Sequence, residues 1–454
     1  MTAETARGPA SLIADLTWRG MVHAVTPGLP DRLATGRPIA GYVGFDPSAP
    51  SLHAGSLVPI FGLIQLQRHG CRPVALVGGA TGMIGDPSGT SAERNLLDRD
   101  TIAANVAGIR GQLERFLDFS PGSGGALLVN NLEWLGEMGM LEFLRDVGKH
   151  FTIPYMLAKD SVQTRLERGL SYTEFSYMLL QAADFRHLYR AHGVELQMGG
   201  ADQWGNITAG LELIRRTEGK ATAEGIATAE GKARAEGKAR AGADDELAHG
   251  LAYPLLLSPS GTKFGKSAEG TSIWLDPNLT SPFEFYQYWF NADDRDMAVY
   301  LRWFTLLTQE EIERVEAEQA ARPGERPAQR LLALDLTTQV HGPAAAERAV
   351  TLSRAAFGAE PVRDTALLAE MYEVLDHCEL DPADVAAGAL RVAVACGLYA
   401  SNGEARRAIS QGGFSINDVR VGSADEPVGD PIAGRWLLLR AGRKRLKVAR
   451  IRRR

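Results

Sequence analysis

Cysteine is scarce in this chain: Cys71, Cys378 and Cys396 are the only three in 454 residues. An odd, widely spaced set without a CxxC pair argues against a disulfide framework or a zinc-type ligand cluster. No metal site is expected, and a reducing, cytoplasmic setting fits. Long apolar runs are also missing; none approaches the ~20 residues needed to span a bilayer, so no membrane partner is expected. Met1–Asp15 has no basic stretch followed by an apolar one, and no secretory signal is expected there. No serine or cysteine nucleophile stands beside a base, which leaves covalent catalysis without a candidate. What is present is the composition of a globular protein, 45% hydrophobic and 23% charged. Its length implies two or three domains.

The net charge of −6 conceals an asymmetry. Residues 388–454 carry 14 Lys and Arg against 5 Asp and Glu, whereas the preceding chain is strongly acidic. A basic tail on an acidic body suggests a polyanionic partner. The cluster Arg443, Lys444 and Arg445, followed by Lys447, Arg450 and Arg452–Arg454, makes nucleic acid the favoured one.

Residues 38–90 alternate apolar runs with glycine turns: Ile39–Phe45, Leu57–Leu66, Val74–Val77, then Gly78–Gly82. This strand–helix–strand rhythm predicts a doubly wound α/β sheet, with ligands beyond the carboxyl ends of its strands. It continues with helices near Thr101–Leu117, Leu141–Val147 and Thr173–Ala191, and strands at Leu127–Asn130 and Glu195–Met198. Four hexads fill 217–240 (TEGKAT, AEGIAT, AEGKAR, AEGKAR). A glycine in every copy and no apolar face predict a low-complexity surface loop, placed at 217–250. Beyond Pro282 the spacing of apolar residues becomes helical through 357, with a capping box at Thr308–Glu311. Residues 358–387 read as a linker. The tail, 388–454, reads as two short helices followed by strands around Phe414–Ile416, Arg420–Gly422, Trp436–Leu439 and Lys447–Ile451.

Two motifs 210 residues apart carry the chemistry. His53-Ala54-Gly55-Ser56 follows a strand and opens a helix, whose unpaired N–H groups favour phosphate. Lys263-Phe264-Gly265-Lys266-Ser267 is a glycine-bounded loop whose lysines can neutralise charge building on a triphosphate. Alone, His53 reads as a buried core histidine and the loop as a solvated basic turn. As a pair they suggest a clamp on a nucleoside triphosphate.

HAGS and KFGKS resemble the HIGH and KMSKS signatures of class I aminoacyl-tRNA synthetases. Gly41–Pro47 (GYVGFDP), Leu76–Gly89 (LVGGATGMIGDPSG), Tyr172–Asp184 (YTEFSYMLLQAAD) and Gln197–Asn206 (QMGGADQWGN) are similar to the bacterial tyrosyl-tRNA synthetases, in order and over nearly the whole chain. The resemblance implies a Rossmann-like doubly wound parallel catalytic domain (1–277) containing a dimer-interface insertion. An all-α domain on the anticodon side (278–357) and a small α+β RNA-binding domain (388–454) would follow. It also implies the reaction: L-tyrosine and ATP, with Mg2+, give tyrosyl-adenylate and pyrophosphate, and tyrosine then passes to the 3′ end of tRNA(Tyr).

The resemblance further assigns residues. Tyr42 and Asp184 would hold the substrate hydroxyl, Asp86, Tyr177 and Gln181 its ammonium group, and Gln203 would lie near its carboxylate. ATP would meet Gly44, Asp46, Ser48, His53, Gly55, Ser56, Gly200, Asp202 and Lys266. Lys263, Lys266, Ser267 and Arg94 would act on the leaving pyrophosphate. The residues themselves agree with this assignment. Tyr177, Gln181 and Asp184 stand at i, i+4 and i+7 on one helical face, and a buried carboxylate needs a partner such as a phenol. Arg406 and Arg407 would meet RNA phosphates, with Arg443, Lys444 and Arg445. Lys149–Ala158 is similar to the family's dimer interface, implying a homodimer. Two positions depart from the pattern: Ser56 replaces the last histidine of HIGH, and Thr90 stands where some members have lysine. The tryptophan enzyme shares the architecture, and an RNA-binding paralogue without catalysis is the rival outside the class. The Tyr42–Asp184 pair argues against the first, and the retained His53, Lys263, Lys266, Asp86, Asp184 and Asp202 against the second.

Overall fold

The computed structural model describes residues 8–86, 97–122, 124–159, 162–163, 166, 169–226, 247–256, 264–265, 271–358, 360–442 and 445–452. The chain forms two compact units. One is Met1–Leu279 with Asn291–Val340; the other is Thr280–Phe290 with His341–Arg454.

The first unit is built on a six-stranded sheet ordered β1-β6-β5-β2-β3-β4. Its strands are Ala24–Val25, Ala40–Phe45, Arg72–Val77, Leu127–Asn130, Val194–Gly200 and His249–Tyr253, as β1 to β6 in chain order. Only β1 is antiparallel; β2 to β6 run parallel. Strands buried on both faces carry near-continuous apolar residues, as in the Pro73–Val77 stretch of β3 and the Leu251–Tyr253 stretch of β6. The helix Leu57–Arg68 is buried along most of its length and crosses the sheet. Pro59 falls in its first turn, where a missing N–H removes no helical bond. The helix Tyr172–His192 starts at a capping box, Ser171 with Glu174, and stops at Gly193 in the left-handed conformation, φ 63°. Chain order departs from β2 toward β3 and β4, then returns to β5 on the other side of β2. The topological switch point therefore lies between the carboxyl ends of β2 and β5.

The second unit has a five-stranded sheet ordered β7-β11-β10-β8-β9, from His377–Leu380 (β7), Phe414–Ile416 (β8), Val419–Arg420 (β9), Trp436–Ala441 (β10) and Arg445–Ile451 (β11). Alternate residues of β10 serve two cores. Leu437 and Leu439 pack with the helices Ala389–Ala395 and Asn402–Ser410. Trp436 and Leu438 pack with residues from Pro282–Phe290, Pro343–Phe357 and Thr365–Val374. A strand buried on both faces explains the unbroken Trp436–Leu439 run.

Three expectations are corrected here. The stretch 358–387 is not a linker: Leu368, Met371 and Tyr372 are buried, and β7 pairs with β11 in parallel. Apolar residues at 367, 368, 371 and 372 give a short helix its packed face. The helical region 278–357 is not one domain, because Pro282–Phe290 and Pro343–Phe357 pack together in the second unit while Asn291–Val340 belongs to the first. The hexad segment is not a loop from its start. The helix Trp204–Ile226 runs through the first hexad into the second, extending a helix whose earlier turns already pack in the core; residues 227–246 lie outside the described residues.

Candidate active site

At the switch point a cavity of about 230 Å³ opens between the ends of β2 and β5. Its described lining has two characters. Tyr42, Val43, Leu76, Met198 and Pro59 make it apolar, whereas Asp46, Asp86, Asp184 and Asp202 bring four carboxylates and no lining residue is basic. An apolar slot edged by carboxylates suits a ligand carrying both a ring and a cation.

The deep end is set by Tyr42 and Asp184, 1% and 2% exposed. Asp184 Oδ1 accepts from Trp134 Nε1 at 2.8 Å, and Oδ2 from Asn131 Nδ2 at 2.9 Å. Asn131 is held in turn by Ala80 N–H, which donates to its Oδ1 at 2.8 Å, and the Trp134 indole stacks on His187 with centroids 4.3 Å apart. Burial raises the Asp184 pKa to about 7; the two donated bonds pull it down, and the Asp46 charge pushes it up. The Tyr42 hydroxyl is buried with no hydrogen-bond partner among the described residues. Burial first, and then the Asp184 charge, pushes its pKa well above the usual phenol value, so it stays a donor. An orphaned buried hydroxyl beside a carboxylate is costly unless a ligand completes it.

Nearer the mouth, Tyr177 donates its hydroxyl to both Asp46 oxygens at 3.3 Å. Burial, then the charges of Asp46, Asp86 and Asp184, keep this phenol protonated. Gln203 Nε2 donates to Asp86 Oδ2 at 2.8 Å, and Gln181 Nε2 to Gln203 Oε1 at 3.3 Å. Asn206 Nδ2 donates to both Gln181 Oε1 (3.0 Å) and Gln203 Oε1 (3.1 Å). The three helical-face residues thus meet one cavity.

HAGS and the described part of KFGKS, Phe264-Gly265, are in contact. His53 Nδ1 accepts from Gly55 N–H at 3.0 Å, and the Ser56 hydroxyl accepts from His53 N–H at 3.4 Å. With Nδ1 accepting, the neutral ring carries its proton on Nε2, the form that donates to an anion. Ile273 ties the two motifs: its carbonyl accepts from Ala54 N–H (2.7 Å) and its N–H donates to the Gly265 carbonyl (3.1 Å). Gly265 has φ 89°, and a Cβ there would lie 2.6 Å from Gly55 N. Phe264 stacks on Phe304 with centroids 5.4 Å apart, anchoring this end of the loop.

The family model of class I tRNA synthetases (W and Y) matches residues 34–358. The chain belongs to the class I (W and Y) tRNA synthetases. Among curated relatives, the tyrosine–tRNA ligase of Anaeromyxobacter dehalogenans (strain 2CP-1) is 49% identical over 450 residues, 97% of this chain and 100% of that one. The tyrosine–tRNA ligase of Mycobacterium bovis is 46% identical over 441 residues, 95% of this chain and 97% of that one. Among solved structures, a C-terminally truncated mitochondrial tyrosyl-tRNA synthetase from Aspergillus nidulans aligns with TM-score 0.63 and 30% identity, covering 76% of this chain and 93% of that one.

In this synthetase Gly44, Asp46, Gly200, Asp202 and Gln203 line the cavity, while Ser48 is exposed beyond β2. Lys263, Lys266, Ser267, Arg94, Thr90, Arg443 and Lys444 lie outside the described residues. Arg406 and Arg407 are exposed on the helix Asn402–Ser410, capped by Ser401, and Arg445 is exposed at the start of β11. Asn131 and Trp134 escaped sequence reasoning. Asn131 and Trp134 directly follow β4, and position past the carboxyl end of a parallel strand is the signal that could have found them. Thr81, Gln197 and Asn206 lie within the family-like motifs: Thr81 accepts from Asn131 Nδ2 at 3.0 Å, and Gln197 lines the cavity, with its Oε1 buried and unpartnered among the described residues.

Proposed function

We propose that this synthetase is a tyrosine–tRNA ligase, and that the orphaned Tyr42 hydroxyl beside Asp184 is its amino-acid selector. A substrate phenol donating to Asp184 and accepting from Tyr42 would complete both groups. An indole lacks the acceptor, and phenylalanine would leave the Tyr42 hydroxyl unpaired and offer Asp184 no donor. Rejection of about 10⁵ for phenylalanine is the established figure for the tyrosine enzyme as a class. The ammonium group would sit among Asp86, Tyr177 and Gln181, with Gln203 near the carboxylate. The four lining carboxylates support this polarity.

ATP, entering as its Mg2+ complex, would lie along Gly44, Asp46, Ser48, His53, Gly55 and Ser56, with its ribose at Gly200 and Asp202. A tyrosine carboxylate oxygen attacks the α-phosphorus, the bond to the β-phosphate oxygen breaks, and pyrophosphate leaves. Lys263, Lys266, Ser267 and Arg94 would offset the charge on the departing group. A hydroxyl of the terminal tRNA ribose then attacks the aminoacyl carbonyl and expels AMP. The chain thus supplies position and charge, with no covalent enzyme intermediate. Arg406, Arg407, Arg443, Lys444 and Arg445 would grip tRNA(Tyr) through its phosphates.

A cytoplasmic homodimer completes the reading. Met140, Leu141, Ile153 and Tyr172, from 59% to 78% exposed, give the neighbourhood of Lys149–Ala158 an apolar surface that a second copy would cover. Among the described residues no helix is long and apolar enough to cross a membrane. Tyrosine-dependent ATP–pyrophosphate exchange by the purified protein tests the proposal. Exchange with tyrosine and none with tryptophan or phenylalanine is expected; a folded protein without exchange would leave the RNA-binding reading in its place.

A further inference from the structure

Two of the three cysteines, 18 positions apart in sequence, meet in the second unit. Cys378 lies on the edge strand β7, in register with Ala449 of β11. Side chains alternate along a strand, so Cys378, Ala449 and Lys447 share one face. That face packs on the apolar cluster containing Cys396. Cys396 caps the helix Ala389–Ala395, its Sγ donating to the Ala393 carbonyl at 3.3 Å. Cys378 packs against that cluster close enough for the two thiols to perturb each other, the Cys378 thiol being held protonated and the Cys396 thiol pulled down. Lys447 Nζ stands at the next residue, 3.6 Å from where a Gly397 Cβ would lie, and pairs with Asp376 at 3.3 Å. Cys378 and the Lys447 ammonium both favour thiolate on Cys396, against the opposing effect of burial. Cys396 is 2% exposed; Cys378 is only half-buried, so reagents reach the pair through Cys378.

We propose that Cys378 and Cys396 form a reversible oxidation site that a small disulfide, such as oxidised glutathione, closes into an intramolecular disulfide. Cys378 passes its proton to the Cys396 sulfur, attacks one glutathione sulfur and breaks the glutathione S–S bond, and the released glutathione thiolate takes that proton from Cys396. Cys396 thiolate then attacks the Cys378 sulfur and expels the second. The protein thiols lose two electrons and two protons, and the oxidant is reduced to two molecules of glutathione. The new bond ties β7, an edge strand, to the helix that precedes the Arg406- and Arg407-bearing helix. Cys71 belongs to the first unit and takes no part. Neither reacting thiol lines the cavity described above.

The test uses the full-length protein, reduced and then incubated with oxidised glutathione. Thiols titrated in denaturant should fall from three to one, and the intact mass should drop by two hydrogens. Peptide mapping should join Cys378 to Cys396, and a reductant should restore all three thiols. Cys396→Ser should instead trap one glutathione on Cys378, and Cys378→Ser should keep the parent's pyrophosphate exchange while forming no internal bond. Three surviving thiols, a stable glutathione adduct on the parent, or a bond involving Cys71 would each overturn the proposal.

Discussion

Trp134→Phe removes a single hydrogen-bond donor. Phenylalanine keeps a ring against His187, but it cannot replace the indole Nε1 that reaches Asp184 Oδ1 at 2.8 Å. Of the two donors to the carboxylate described above, only Asn131 remains. A hydrogen bond to a charged group contributes about 1.5–3 kcal/mol. Ionised Asp184 is then disfavoured by about tenfold to 150-fold, and its pKa rises by about one to two pH units above the present value. That value is already about 7, because burial outweighs the two donors. The sign follows from the role proposed for Asp184: the ionised form accepts the tyrosine hydroxyl and the protonated form does not. In the parent, kcat/KM for tyrosine in pyrophosphate exchange should decline as pH falls below about 7, since this ratio reports the free enzyme. In the variant the decline should begin at higher pH. Its deficit should be greatest near pH 6, about tenfold to 150-fold, and shrink toward pH 9. An equal deficit at both pH values, with the acid limb unmoved, would refute the reasoning and leave Trp134 as a shape-filling residue only.

Gly265→Ala should lower the turnover of adenylation by about 5-fold to 30-fold, because a left-handed alanine costs about 1–2 kcal/mol. Its Cβ would also press on Gly55 N. Tyrosine affinity by equilibrium dialysis should stay unchanged; full turnover would show that the contact between the two motifs is dispensable. Deleting 388–454 removes β8 to β11 and uncovers Leu368, Met371 and Tyr372, at roughly 1.5–3 kcal/mol each. Limited proteolysis should then digest the remainder of the second unit, with tRNA charging lost and pyrophosphate exchange retained. Survival of a protease-resistant remainder would contradict the shared core.

Much of the first unit was legible because local and global signals agree there. The glycine turn after β3 marks a strand end, the Ser171–Glu174 box marks a helix start, and the i, i+4, i+7 spacing of Tyr177, Gln181 and Asp184 fixes a single face. The capping box at Thr308 was equally plain. What escaped depends on distant partners. A two-residue strand such as β1 has no periodicity to read, and exists because Ala24 and Val25 find β6. Nothing near Trp134 in sequence names Asp184, 50 positions on, as its acceptor. The hexads disfavour helix locally, yet Trp204–Ile226 extends into them from turns already packed. Likewise 358–387 shows weak patterning because β10 and β11, encoded much later, complete its core. The thiol pair is illegible for the same reason: spacing along the chain says nothing of a strand edge meeting a helix end.

The interleaving of the two units has a consequence for biosynthesis. Phe283, Phe285, Tyr286 and Trp289 are buried in the second unit, where Phe283 packs with Leu352, Ala355 and Ala356 of Pro343–Phe357. That partner helix is complete only after 67 further residues have been added. At about 5–20 residues per second, the aromatic segment waits roughly 3–13 s for its cover. Meanwhile Asn291–Val340, made in between, folds back onto the first unit. Four large aromatic side chains are therefore exposed on the nascent chain while the catalytic unit is being finished. That interval is where a translating cell would most need a holding chaperone for this protein, and where a pause in elongation would do the most harm.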